Sequence, residues 1–254
     1  MTTLFIALDD QPSQEDVLRQ SEHYLCHQQA TEQSGQAAKT LLRLFFSTVD
    51  ELVAYFEQDD SLAAVLVRAS WEAFLVGGLL EARILGKRVA SDNNAPQASH
   101  SFADWIRDKS GIGVAYVLAV FKPDKDEAIE MDRWLACITD LQSYTSFVND
   151  VMSLRKEILT GDGGNYINIK TRIRHLSGEE GTARADKKFC IRDMLNESVA
   201  EAEKAANNID ALIEYAAPAK LPLWQAYRHG YIQFHLENPR YRLKNVAGAL
   251  RGLH

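Results

Sequence analysis

The chain has 254 residues, 46% of them hydrophobic and 25% charged, which is enough apolar material for one compact domain with a sizeable core. A net charge of -7 excludes general nucleic-acid binding through phosphates, although an acidic protein still takes a phosphate ester when metal ions mediate the contact. With 14 glycines and 6 prolines a turn-rich β fold is excluded, and Cys26, Cys137 and Cys190 are too few and too widely spaced for a disulfide framework, so a reducing compartment is expected.

The chain opens with a short apolar run, Leu4 to Leu8, that ends in Asp9 and Asp10. It has no basic region before it and is too short for a signal peptide, and no segment is expected to reach the roughly 20 apolar residues of a membrane span. A cytoplasmic protein follows as the expectation. Residues 16–30 are polar and helix-compatible, and residues 37–46 carry apolar side chains at helical spacing. Thr48 and Glu51 read as a capping box that opens a separate helix over 49–56. Residues 61–85, rich in Ala, Val and Leu and free of proline, read as a helix buried on most sides. Residues 86–100 have loop composition, after which Ser101 caps a short helix that Gly111-Ile112-Gly113 interrupts before an apolar stretch over 114–121. The longest pattern runs from Pro123 to about Leu159, with Ile129, Trp134, Leu135, Ile138, Leu141, Val148 and Met152 at helical period. Gly161-Asp162-Gly163-Gly164 ends it. Residues 178–188 are charged and contain glycine, the composition of a mobile loop, and two helices follow over 191–217 and 222–236. Nothing alternates like a strand and nothing repeats, so the fold class is all-α in a single domain over residues 1–254.

Several local signals carry little chemistry. Gly111-x-Gly113 has no preceding strand and no third glycine at the spacing of a dinucleotide fingerprint. His23 and His27 lie one turn apart, but no second pair of ligands accompanies them. Asp9 and Asp10, with Glu15 and Asp16 close behind, read by themselves as an acidic helix end. Asn149, Ser153 and Glu157 are different. Residues four apart stand one above another on a helix, so these three form a column of amide, hydroxyl and carboxylate oxygens. Asn and Ser are mediocre helix formers, and propensity does not account for them in mid-helix on one face with a carboxylate. Three oxygen donors suit Mg²⁺, which completes its octahedral shell with water and substrate phosphates.

Asn149-Asp150-Val151-x-Ser153-x-x-x-Glu157 resembles the second metal-binding motif of class I terpene synthases, and with Lys156 before the glutamate it is most similar to the fungal trichodiene synthase family. His229 to Leu236, followed by Pro239-Arg240-Tyr241-Arg242-Leu243, resembles that family's terminal Arg-Tyr signature and the helix before it. Trp105-Ile106-Arg107 ahead of the two glycines is similar to the arginine and kinked helix that sense diphosphate, and residues 4–10 resemble the helix end with the first aspartate-rich motif.

The resemblance implies a class I terpenoid synthase helical bundle, shortened at the N-terminus, that ionises farnesyl diphosphate and cyclises the carbocation. Under it Asn149, Ser153 and Glu157 hold one Mg²⁺ and Asp9 serves the others, with Asp10 left open. Arg107, Lys156, Arg240 and the Tyr241 hydroxyl donate to diphosphate oxygens, and the aromatic faces of Tyr231 and Phe234 line a water-poor cation pocket. Asp9, Arg107, Arg240 and Tyr241 are the catalytic set. The aspartate-rich motif departs from its usual form: Gln11-Pro12-Ser13-Gln14 stands where another acid is expected, with Glu15 or Asp16 as substitutes. A shortened bundle would also open the cavity to water, which favours alcohol products. The alternative is a non-ionising partner or binding protein of the same fold. A homodimer is left open.

Overall fold

The computed structural model describes residues 21–26, 36–58, 60–80, 101–111, 113–121, 135–160, 165–182 and 186–243. Among these residues the structure is helical, with one isolated bridge between Glu180 and Lys188 and no strand, as the all-α expectation requires. Two compact units, residues 1–87 and 88–254, divide the chain.

In the first unit α1 (Gln36–Glu57) packs against α2 (Ser61–Leu80). The two helices expected around Thr48 are one. Instead of capping a new helix, the Thr48 hydroxyl donates to the Leu44 carbonyl at 2.8 Å, one turn back in the same helix. A threonine hydroxyl serves either role, and the apolar period running through it decides which. The cap falls later, at Asp60, whose carboxylate accepts from the Ala63 amide at 3.0 Å and starts α2. Phe45 and Trp71 meet edge to face with ring centroids 5.3 Å apart, both fully buried. Contrary to expectation, α2 is long and apolar enough by composition to cross a membrane, the only such helix among the described residues. Yet Ala63, Val67, Trp71 and Leu75 are buried within this unit, and Arg68 pairs with Asp50 of α1 at 2.8 Å.

The second unit is built around one helix. Following α3 (Ser101–Ser110) and α4 (Gly113–Phe121), α5 (Ile138–Thr160) forms its spine; then come α6 (Tyr166–Leu176), α7 (Ile191–Ala216) and α8 (Leu221–Glu237). The 3₁₀ turns Pro218–Lys220 and Pro239–Tyr241 flank α8. Helices α4, α6, α7 and α8 and the second 3₁₀ turn all pack on α5. The closest partner is α7, whose buried face is Ala202, Ala205, Ala206, Ile209 and Ile213. Small side chains at helical spacing let two helices approach, and α5 buries Leu141, Tyr144 and Val148 in turn. A second cluster, Leu154, Ile167, Phe189 and Met194, closes the far end.

The long pattern expected from Pro123 breaks at a turn over residues 136–137, and α5 begins at Ile138 with the Leu141 amide donating to the Cys137 carbonyl at 2.8 Å. No glycine or proline marks that turn, so the apolar period runs straight through it. The segment 178–188 is tied down rather than mobile in its described parts. The Phe189 amide donates to the Glu179 carbonyl at 3.1 Å, and the buried Asp193 carboxylate accepts from the Thr182 amide at 2.7 Å and the Cys190 amide at 2.9 Å. Arg174 pairs with Glu179 and Glu197 and lies over the Phe189 ring, 3.7 Å from its centroid. Glu179 is thus held by Arg174, while Glu180, Asp186, Lys187 and Lys188 are exposed.

Candidate functional site

The column Asn149, Ser153 and Glu157 stands on three successive turns of α5, as its spacing requires. Ser153 is 3% exposed, and its buried hydroxyl oxygen has no hydrogen-bond partner among the described residues. A buried hydroxyl normally finds a partner, because leaving it unpaired costs about 1–3 kcal/mol. An orphaned hydroxyl between an amide and a carboxylate fits a hard cation that takes oxygen donors, so the residues present suit Mg²⁺.

A second column runs beside the first. Gln142, Ser146 and Asp150 are also four apart on α5, and all three grip the junction between α3 and α4. The Gln142 amide donates to the Asp108 carboxylate at 2.7 Å, and its oxygen accepts from the Gly113 amide at 3.2 Å. The Arg107 guanidinium donates through Nε to Asp150 Oδ2 at 3.0 Å and through Nη2 to the Ser146 carbonyl at 2.8 Å. The two glycines make the approach feasible. A Cβ at Gly113 would lie 2.4 Å from Gln142 Cβ, and one at Gly111 would lie 3.2 Å from Ser146 Oγ. The interruption of the helix thus aims α3 so that Arg107 reaches α5.

Burial dominates the electrostatics here. Asp150 is 5% exposed, and loss of solvent pushes its carboxyl up to about 6 even though the adjacent Arg107 pulls it down. Arg107 keeps 19% of its side chain in contact with solvent.

From the other side comes α8. Asp210 of α7 accepts from Trp224 Nε1 at 2.6 Å and Arg228 Nη1 at 3.0 Å, and the Tyr144 hydroxyl of α5 donates to the Arg228 carbonyl at 3.0 Å. These bonds set the helix so that Tyr227 and Tyr231 stack with centroids 5.7 Å apart, and Tyr116 of α4 lies 6.1 Å from Tyr231. The Tyr231 hydroxyl donates to the Thr145 carbonyl at 3.3 Å. Burial raises the Tyr116, Tyr227 and Tyr231 hydroxyls, so all three stay protonated. His235, 1% exposed, lies 3.2 Å through Nε2 from Asn149 Oδ1 and 4.4 Å, ring to ring, from the buried Tyr241. Burial lowers its basicity. Phe234 lies 6.0 Å from Tyr241, and the Arg240 guanidinium lies 5.6 Å from the Tyr241 ring centroid. Asn238 caps the Arg-Tyr turn by accepting from the Arg240 amide at 3.0 Å.

Of the residues singled out from the sequence, Arg107, Asn149, Ser153, Lys156, Glu157, Tyr231, Phe234, Arg240 and Tyr241 all belong to this unit. Arg107 is in direct contact with α5, and the Arg-Tyr turn packs on it. Lys156 and Arg240 are half-buried. Asp9, Asp10, Glu15 and Asp16 lie outside the described residues. Sequence reasoning missed Gln142, Ser146, Asp150 and His235. For the first three the signal was present, as a second polar column one residue out of step with the first.

Known proteins share sequence with this chain over much of its length. The chain is 26% identical over 242 residues to terpene synthase BipA of Cochliobolus sativus, a match covering 94% of this chain. It is 28% identical over 213 residues to the longiborneol synthase of Gibberella zeae, covering 84% of this chain, and 31% identical over 147 residues to monoterpene synthase 25 of Postia placenta, covering 58%. The chain spans 65%, 57% and 39% of the lengths of these three proteins. No family model matches it. These relatives are fungal terpene synthases.

Proposed function

We propose that this chain is a terpene cyclase of the trichodiene synthase type, ionising farnesyl diphosphate with Mg²⁺ and cyclising the resulting carbocation. It rests on one observation above all: Arg107 contacts Asp150, and His235, five residues before Arg240, contacts Asn149. Three motifs remote in sequence thereby meet at two adjacent residues of α5. The reading takes residues 1–254 as one terpene synthase-like domain, supported by similarity that runs over 94% of the chain.

Asn149, Ser153 and Glu157 would hold one Mg²⁺, with Asp9 serving the others. When bound, the metal supplies positive charge that makes diphosphate a competent leaving group. The protein's own part is to add directed donors. Arg107, fixed by Asp150 and the Ser146 carbonyl, offers a planar guanidinium whose orientation needs no reorganisation when the phosphate arrives. Arg240, Lys156 and the Tyr241 hydroxyl complete the diphosphate contacts. The π faces of Tyr231 and Phe234 stabilise the cation after ionisation without acting as strong nucleophiles.

The test is incubation of the protein with farnesyl diphosphate and Mg²⁺, with diphosphate release measured and products identified by gas chromatography–mass spectrometry. Metal-dependent release that Glu157→Gln abolishes is expected. Absence of release, or release indifferent to Glu157→Gln, overturns the reading.

A further inference from the structure

His235 has no part in the reaction as described above, yet it is fully buried at the point where the Asn149 column meets the Arg-Tyr turn. Its Nδ1 lies 2.7 Å from the Tyr231 carbonyl. A carbonyl only accepts, so Nδ1 carries a proton. In the neutral ring Nε2 is then a bare lone pair, and it faces Asn149 at 3.2 Å. Two arrangements satisfy that contact. Either the ring is an imidazolium and donates to the amide oxygen, or the amide is turned over so that its NH₂ donates to Nε2.

The surroundings favour the second. The ring is 1% exposed and is enclosed by Tyr231, Phe234 and Tyr241, with centroid separations of 4.7, 5.4 and 4.4 Å. The oxygen and nitrogen ends of a carboxamide occupy equivalent positions, so a half-turn about Cβ–Cγ exchanges them without moving any other atom.

We infer that His235 is a positioning residue that fixes the amide of Asn149, accepting a hydrogen bond from its NH₂ so that the amide oxygen stays available to a divalent cation. The inference rests on the metal-site reading of Asn149, Ser153 and Glu157, and it deepens that reading. The Tyr231 carbonyl sets the tautomer, the tautomer sets the amide, and the amide sets which atom is offered to the metal. Groups that hydrogen-bond a metal ligand from outside fix its orientation and so tune the site. Ring contact with Tyr241 ties the same histidine to the Arg-Tyr turn.

The experiment has two arms. In the first, ¹⁵N-resolved NMR of the histidine rings in metal-free protein, assigned by comparison with His235→Gln, should give His235 one protonated and one unprotonated nitrogen, with the proton on Nδ1. An imidazolium, or a proton on Nε2, overturns the inference whatever the protein does with metal. In the second, Mg²⁺ binding in the presence of inorganic diphosphate is followed by the shift in thermal unfolding. His235→Phe keeps the ring packing but removes the acceptor, and should weaken apparent Mg²⁺ affinity by roughly 10–100-fold. His235→Gln restores an acceptor near the place of Nε2 and should recover much of the loss. If wild-type protein binds Mg²⁺ and His235→Phe binds it equally well, the positioning role fails while the metal-site reading stands. If the wild-type protein itself shows no shift, the metal-site reading fails and the inference goes with it.

Discussion

Replacing Asp150 by Asn tests whether this chain holds a costly charge in order to place Arg107. The carboxylate is 5% exposed, and its ionisation point is raised from 3.8 to about 6, with burial outweighing the attraction of Arg107. Because the folded state binds this proton more tightly than the unfolded chain does, acidification favours the fold through this group. The cost of the bare carboxylate is fully present above about pH 6 and is lost as pH falls toward 3.8. A difference of about two pH units corresponds to on the order of 3 kcal/mol. Asp150→Asn mimics the protonated state in shape and polarity. It also leaves Arg107 in tolerable surroundings, since that side chain retains 19% exposure and its bond to the Ser146 carbonyl. Urea unfolding at pH 7 should therefore find Asp150→Asn more stable than wild type by about 1–3 kcal/mol, with the advantage vanishing by pH 4. The same variant should release diphosphate more slowly, because a neutral amide oxygen holds Nε of Arg107 less firmly than the carboxylate does. A variant less stable than wild type by an amount independent of pH would refute the reasoning and show that the ion pair outweighs desolvation.

Other consequences follow from single contacts. Gly113→Ala should cost about 1–3 kcal/mol in urea unfolding, because the new Cβ would meet Gln142 Cβ at 2.4 Å. Combining it with Gln142→Ala should not rescue stability, since alanine keeps the offending Cβ; full rescue would place the strain elsewhere. Asp210→Ala removes the acceptor shared by Trp224 and Arg228 and should cost about 2–3 kcal/mol, which denaturant midpoints at constant slope would register. Cys137 is buried, and its thiol is pushed up to about 11, so iodoacetamide at pH 8 should label the exposed Cys26 well before it. Peptide mapping by mass spectrometry reads the order, and urea should erase the difference.

The helical class, the oxygen column on one helix and the interruption at Gly111 and Gly113 were legible in the amino-acid sequence because each depends on local periodicity. A residue four positions on is a neighbour in any α-helix, wherever that helix goes. The same locality caused the errors. Thr48 satisfies a capping pattern that the helix overrides with back-bonding to Leu44, and the turn at 136–137 carries no breaker to announce it. The charged segment 178–188 looks wholly mobile until Asp193 is seen to hold the Thr182 amide and Arg174 to hold Glu179. Tertiary structure alone decided what the second column of Gln142, Ser146 and Asp150 is for, since its purpose exists only once Arg107 of α3 reaches α5. It alone decided that His235, 86 residues from Asn149, is that side chain's partner. Periodicity specifies which residues share a face of a helix; what the face meets is decided by the packing of helices distant in sequence, where burial converts an ordinary aspartate or histidine into a group with one permitted orientation.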